Sequence, residues 1–192
     1  MKGQVDILIV MVENHVDRKT EYLERELWIL AWNASVQHAA LYKNGVWQNQ
    51  RDQIDIFKSK IIGHVKTKVL PQYNVTVGEE QHCRNIRDLI NYANTIDAGL
   101  LGENGYKYGA AQKVLNLCLK YYWCLGQIKE PPHCPIDKII IDKTIYRGKI
   151  NWTQMLTEKE YLKVISAVRS LADRENCSIA QWELDNYERR EP

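Results

Sequence analysis

The chain has 192 residues, of which 45% are hydrophobic and 26% charged, which makes it a globular protein large enough for a substantial core. Its net charge of +2 is too small to announce a polyanion by itself, and five cysteines at irregular spacing argue against a disulfide framework and fit reduced thiols in the cytoplasm. The longest apolar run, Val5 to Val12, is interrupted by Asp6 and is far too short to span a bilayer, so neither a membrane helix nor a signal peptide is expected.

In chain order, "VDILIVMV" (5–12) reads as a strand. Glu21 to Leu41 then carries Leu23, Leu27, Leu30, Ala31, Ala34 and Leu41 at helical spacing, and Asn44-Gly45 ends the pattern. Ile54 to Leu70 repeats it through Phe57, Ile61, Val65 and Val69, stopping before Pro71. "YNVTV" (73–77) reads as a second short strand, and "NIRDLINYANTI" (85–96) as a helix followed by the loop "DAGLLGENG". A long helix is predicted over 109–125 and another from Asp137 to about Tyr146. Two capping boxes announce the last pair of helices, Thr157 with Glu160 and Ser178 with Gln181. The expectation is a mainly α protein of about seven helices in a single domain over 1–192, possibly of two lobes with a cleft near 105–141, with no internal repeat and no linker.

Charge is less even than its total. Residues 104–129 contain Lys107, Lys113, Lys120 and Lys129 and no acid, and 57–78 is likewise acid-free with four lysines. Either stretch reads as a patch for a polyanion or as a solvated helix face balanced by acids elsewhere. In "PPHCPIDKIII" (131–141), Asp137 follows a proline-rich turn and precedes an isoleucine run, which suits a helix N-cap. The same position would also hold a carboxylate at the mouth of a cleft.

The stretch "GYKYGAAQKVLNLCLKYYWCLGQIKEPPHCPIDKIII" (105–141) sets a lysine near the start of one helix and "CPID" at the start of the next. Here the sequence resembles the helix-hairpin-helix DNA glycosylases, most nearly the lysine-bearing branch that includes the 8-oxoguanine glycosylase/lyases. The resemblance implies a compact, multi-helix glycosylase-like fold. It also implies that Lys113 is the nucleophile and Asp137 the catalytic aspartate, with Lys120 as the second candidate lysine. The family's Gly-x-Gly hairpin is replaced by "GYKYGAAQK", whose glycines stand four apart, and no four-cysteine iron-sulfur loop can be built.

Cleaving an N-glycosidic bond builds positive charge on the sugar, which a carboxylate stabilises. An amine then traps C1′ as a Schiff base, and its pKa must first be depressed from about 10.4 by burial or neighbouring charge. The resemblance implies double-stranded DNA with a flipped modified base as the partner of a monomer, no cofactor and no metal. Trp32, Gln37, His38, His133, Trp152 and Trp182 are the candidates for the base pocket, and Lys107, Gln112 and Lys120 for the DNA backbone. Each tryptophan also reads as a core aromatic, and Cys118, Cys124, His133 and Cys134 lack a familiar zinc spacing. The substrate stays open between an oxidised purine such as 8-oxoguanine and a modified cytosine removed in antiviral defence, such as glucosylated hydroxymethylcytosine. Two rivals are a non-enzymatic helical nucleic-acid-binding module and a HEPN-like nuclease, the latter disfavoured because no histidine has an arginine four to six residues before it.

Overall fold

The structure is a computed structural model that describes residues 2–188, with side chains described over 18–188. Among the described residues there are eight α-helices and no strand: α1 (Lys2–Val36), α2 (Val46–Asn49), α3 (Arg51–His64), α4 (Glu79–Thr95), α5 (Tyr108–Cys124), α6 (Lys138–Asp142), α7 (Glu158–Arg174) and α8 (Ile179–Asn186). No helix among them is long and apolar enough to cross a membrane.

The mainly helical expectation holds, and both strand readings are corrected. Residues 5–12 lie inside α1, and 73–77 run from a 3-10 turn (Leu70–Asn74) into irregular chain. A strand needs a ladder partner for its backbone groups, whereas a helix satisfies its own. The described residues offer no such partner. The first predicted helix also stops earlier than expected, at Val36, because His38 and Ala40 take left-handed φ values of 67° and 44°. α3 continues through a π turn (Val65–Val69) until Pro71, which brings no N–H, closes the run in the 3-10 turn.

Helix α5 is the centre of the molecule. Every residue from Tyr108 to Leu119 is buried, so this helix has no solvated face over its first three turns. It packs against α1, α4, α7 and a 3-10 turn at Trp152–Gln154, within one hydrophobic cluster that extends from Trp28 to Trp182. Fully buried side chains such as Ile86, Leu115 and Leu119 each contribute about 1.5–3 kcal/mol on leaving water.

Two short devices aim α5. Asn94 Oδ1 accepts from Tyr106 N at 2.9 Å, and Gly105 allows that turn at φ 58°. Further along the chain, Gly109 N donates to Met155 O at 3.0 Å, and a Cβ at position 109 would stand 1.8 Å from the Trp152 carbonyl oxygen. Only glycine admits that approach. At the C-terminal end the Thr157–Glu160 capping box forms reciprocally, and Ser178 accepts from Gln181 N at 3.0 Å.

Candidate active site

Lys113 lies in the second turn of α5, within the part of the helix that is buried all round. Its Nζ stands 3.6 Å from Asp137 Oδ2 and 4.0 Å from the centroid of the Trp152 ring. The two charged side chains are only 9% and 11% exposed. Burial pulls the Lys113 amine below its ordinary pKa, and the Asp137 carboxylate opposes that shift without cancelling it. A separation of 3.6 Å exceeds a normal charge-assisted hydrogen bond, so the two groups face one another without being locked together.

Asp137 divides its carboxylate. Oδ1 accepts from Ile140 N at 3.2 Å and caps α6, while Oδ2 faces the lysine. The cap and the cleft readings of this residue are therefore geometrically compatible.

Two amides on α5 hold Asp137 opposite Lys113. Gln112 Nε2 donates to Ile136 O at 2.7 Å while its Oε1 accepts from Ile136 N at 3.1 Å. One turn on, Asn116 Nδ2 donates to Cys134 O at 3.0 Å. The proline-rich segment is stapled to the lysine-bearing helix in this way, which satisfies backbone groups that no helix or sheet would. Gln112, expected at the DNA backbone, is thereby turned inward and fully buried.

Most other candidates are also drawn inward. Lys120 Nζ pairs with Glu183 Oε2 at 2.6 Å, with side chains 12% and 2% exposed, and lies over the Tyr187 ring. Burial raises the Glu183 pKa, and Lys120 opposes it. Lys120 is thus paired within the chain and does not meet Lys113 or Asp137. Lys107 Nζ donates to Ala39 O at 2.9 Å and reaches Thr153 O at 3.5 Å, joining two segments of the chain. The acid-free stretch 104–129 is thus no surface patch: Lys113 and Lys120 meet carboxylates from elsewhere in the chain, and Lys129 is exposed. Lys60 and Lys68 of the second stretch remain exposed, and Lys66 pairs with Glu24 at 2.8 Å.

Among the base-pocket candidates, only Trp152 meets the pair. Trp32 is in the core, edge-on to Phe57, and Trp182 is buried with its Nε1 donating to Glu175 Oε1 at 2.9 Å. Gln37 and His38 are exposed beyond the end of α1, not on the helix. His133 is fully buried, and its Nδ1 meets Tyr161 OH at 3.0 Å. Burial first, and then Arg169, lower its pKa to about 3.

His133 belongs to a polar cluster that the sequence reading missed. Its ring meets that of His82 edge-on, with centroids 4.7 Å apart. His82 Nδ1 meets Tyr73 OH at 2.8 Å, and Asn85 Nδ2 donates to the same hydroxyl at 3.2 Å. Asn116 Nδ2 donates to Tyr161 OH at 3.0 Å, so this residue ties the histidine cluster to the loop that carries Asp137. Burial holds His82 well below the ordinary histidine pKa, and His133 adds to that shift. The available signal was periodicity: His82, Ile86, Leu89 and Ala93 share a helical face.

The chain matches no family model, no curated protein and no solved structure.

Proposed function

We propose that this protein is a DNA glycosylase with lyase activity, using Lys113 as nucleophile and Asp137 as the carboxylate that stabilises the sugar cation. The observation that carries this reading is the buried Lys113–Asp137 pair at 3.6 Å, in which burial depresses the amine pKa and one carboxylate oxygen is left facing the amine. A lysine with a lowered pKa is closer to the neutral amine that attack on carbon requires.

In the reaction the Nζ lone pair forms a bond to C1′ as the glycosidic C–N bond breaks and its electron pair leaves with the base. The proton released by the amine balances the charge on that base. Opening of the sugar ring, in which the nitrogen lone pair forms the C=N bond as O4′ leaves C1′ and takes a proton from water, then gives the protonated Schiff base, and loss of a C2′ proton to water expels the 3′ phosphate by β-elimination. Asp137 Oδ2 stands where positive charge develops in the first step. An oxidised purine such as 8-oxoguanine is the proposed substrate, and a glucosylated hydroxymethylcytosine is the alternative.

The test is borohydride trapping on a panel of duplexes carrying each modified base, scored together with base release. The parent protein should form a covalent adduct on at least one duplex, and Lys113→Gln should form none while keeping its fold. An adduct that survives Lys113→Gln, or the absence of base release across the whole panel, would refute the proposal.

A further inference from the structure

A cavity of about 330 Å³ opens beside Trp152, lined also by Lys138, Asp142, Lys149, Asn151 and Gln154. Ile141 and Ile150 give it an apolar side. Lys138 holds Asp142 at 2.6 Å, whereas Lys149 has no ion-pair partner among the described residues. Asn151 Oδ1 is taken by Thr153 N and Oγ1 at 3.0 and 2.9 Å, which leaves its amide nitrogen as a donor. Gln154 is exposed at the rim.

Trp152 belongs to two places at once. It lines this cavity, and its ring covers Lys113 Nζ at 4.0 Å. An aromatic wall, amide groups and an unpaired cation together fit a flat heterocycle that carries a phosphate.

We propose that the cavity takes a phosphate-bearing nucleotide unit and that Trp152 is the partition between it and Lys113, so that filling the cavity moves the indole and uncovers the amine. The glycosylase reading supplies the source of that unit, a DNA strand. Lys149 holds the phosphate, Lys138 adds positive charge beside it while paired with Asp142, the Asn151 and Gln154 amides meet the polar edge of the ring, and Ile141 and Ile150 pack on its apolar surface. The partition keeps Lys113 shielded from adventitious carbonyls until a nucleotide is present.

The experiment follows the indole N–H resonance of Trp152 in the full chain, assigned by its loss in Trp152→Phe. The titrants are deoxyguanosine 5′-monophosphate, deoxyguanosine, and a duplex with a tetrahydrofuran abasic analogue. The monophosphate and the duplex should move the signal, and the nucleoside should bind about tenfold more weakly because a charge-assisted contact is missing. The Lys138→Gln/Lys149→Gln double variant should weaken the monophosphate about tenfold and leave the nucleoside unchanged. Tighter binding of the duplex identifies the strand as the source, and a duplex that binds no better than the monophosphate overturns that source in favour of a free nucleotide. Reductive methylation of Lys113, read by mass spectrometry, should rise on saturation with the monophosphate.

A Trp152 signal unmoved by monophosphate and duplex would overturn the proposal, as would parent-like binding by the double variant or Lys113 methylation that does not rise. Nucleotide binding without base release or trapping would leave the cavity inference standing and remove the glycosylase reading. Base release with an unmoved Trp152 would do the reverse.

Discussion

Acidification should destabilise the protein through its buried histidine pair, well above the pH at which carboxylates titrate. His133 binds its proton at an ordinary pKa near 6.5 when unfolded but at about 3 when folded, because burial and Arg169 disfavour the charged ring. A folded pKa below the unfolded one means that the unfolded chain binds more protons. Stability is therefore full above about pH 6.5 and falls with pH by about 1.4 kcal/mol per unit until the folded value is reached. Between about pH 7.5 and about pH 5 the effective span is roughly 1.5 units, so His133 alone removes about 2 kcal/mol. His82, held well below its ordinary value by burial and by His133, adds a loss of the same sign. Glu79 approaches His133 Nε2 at 3.8 Å but already pairs with Arg169, so it does not rescue the imidazolium. Glu183 works in the opposite sense, since a raised carboxyl pKa favours the folded state as pH falls. Glu24 and Glu160, with lowered values, lose their contribution only below the ordinary carboxylate range. The assay is urea unfolding at the two pH values for the parent and for His133→Gln, which cannot charge and can still meet the Tyr161 hydroxyl. The parent should lose about 2 kcal/mol more than the variant, a large share of a typical domain stability. Equal losses in the two proteins would refute the reasoning.

Gly109→Ala should destabilise by about 1–3 kcal/mol or more, because its Cβ would fall 1.8 Å from the backbone oxygen of Trp152; a parent-like thermal midpoint would deny that contact. Lys120→Gln leaves Glu183 buried and unpaired and should cost about 3–5 kcal/mol, whereas Lys120→Met with Glu183→Leu should recover most of the loss in a urea titration. The same single variant should keep whatever borohydride adduct the parent forms. Asp137→Asn retains an N-cap whose loss to alanine would cost about 0.5–2 kcal/mol but leaves Lys113 buried without its carboxylate, so its stability should fall by no more than the about 3–5 kcal/mol of a broken buried pair while single-turnover excision by the folded variant falls by at least about a hundredfold. Parent-like excision by that folded variant would remove Asp137 from the mechanism.

The helices were legible where local chemistry decides them. Thr157 with Glu160 and Asp137 before its isoleucines are caps whose partners lie within four residues, and both form as read. The strand reading at 5–12 failed because β-branched content records a preference, while pairing requires a second segment that the chain does not place there. Side-chain placement was less legible for a related reason. Gln112 and Lys107 read as surface polar groups, but their partners are backbone groups 24 and 68 residues away. Nothing in the local sequence of either residue marks those partners. Lys113 and Asp137 were found together because their types and separation carried the resemblance, whereas Trp152 was one candidate among several until the Gly109 contact brought it over the amine.

The burial of the first three turns of α5 on all sides also decides how the molecule opens. Its amides are covered by α1, α4 and α7, elements that come from both ends of the sequence, so no local fluctuation exposes them. Hydrogen exchange in α5 therefore reports the global unfolding free energy, while the segment around the exposed Asn151 and Gln154 exchanges through smaller openings. The lysine is thus carried by the buried part of α5, and the indole that covers it by a short turn flanked by the exposed Asn151 and Gln154. A protein cut between α4 and α5 would thus regain its nucleophile only by reassembling both pieces around that helix.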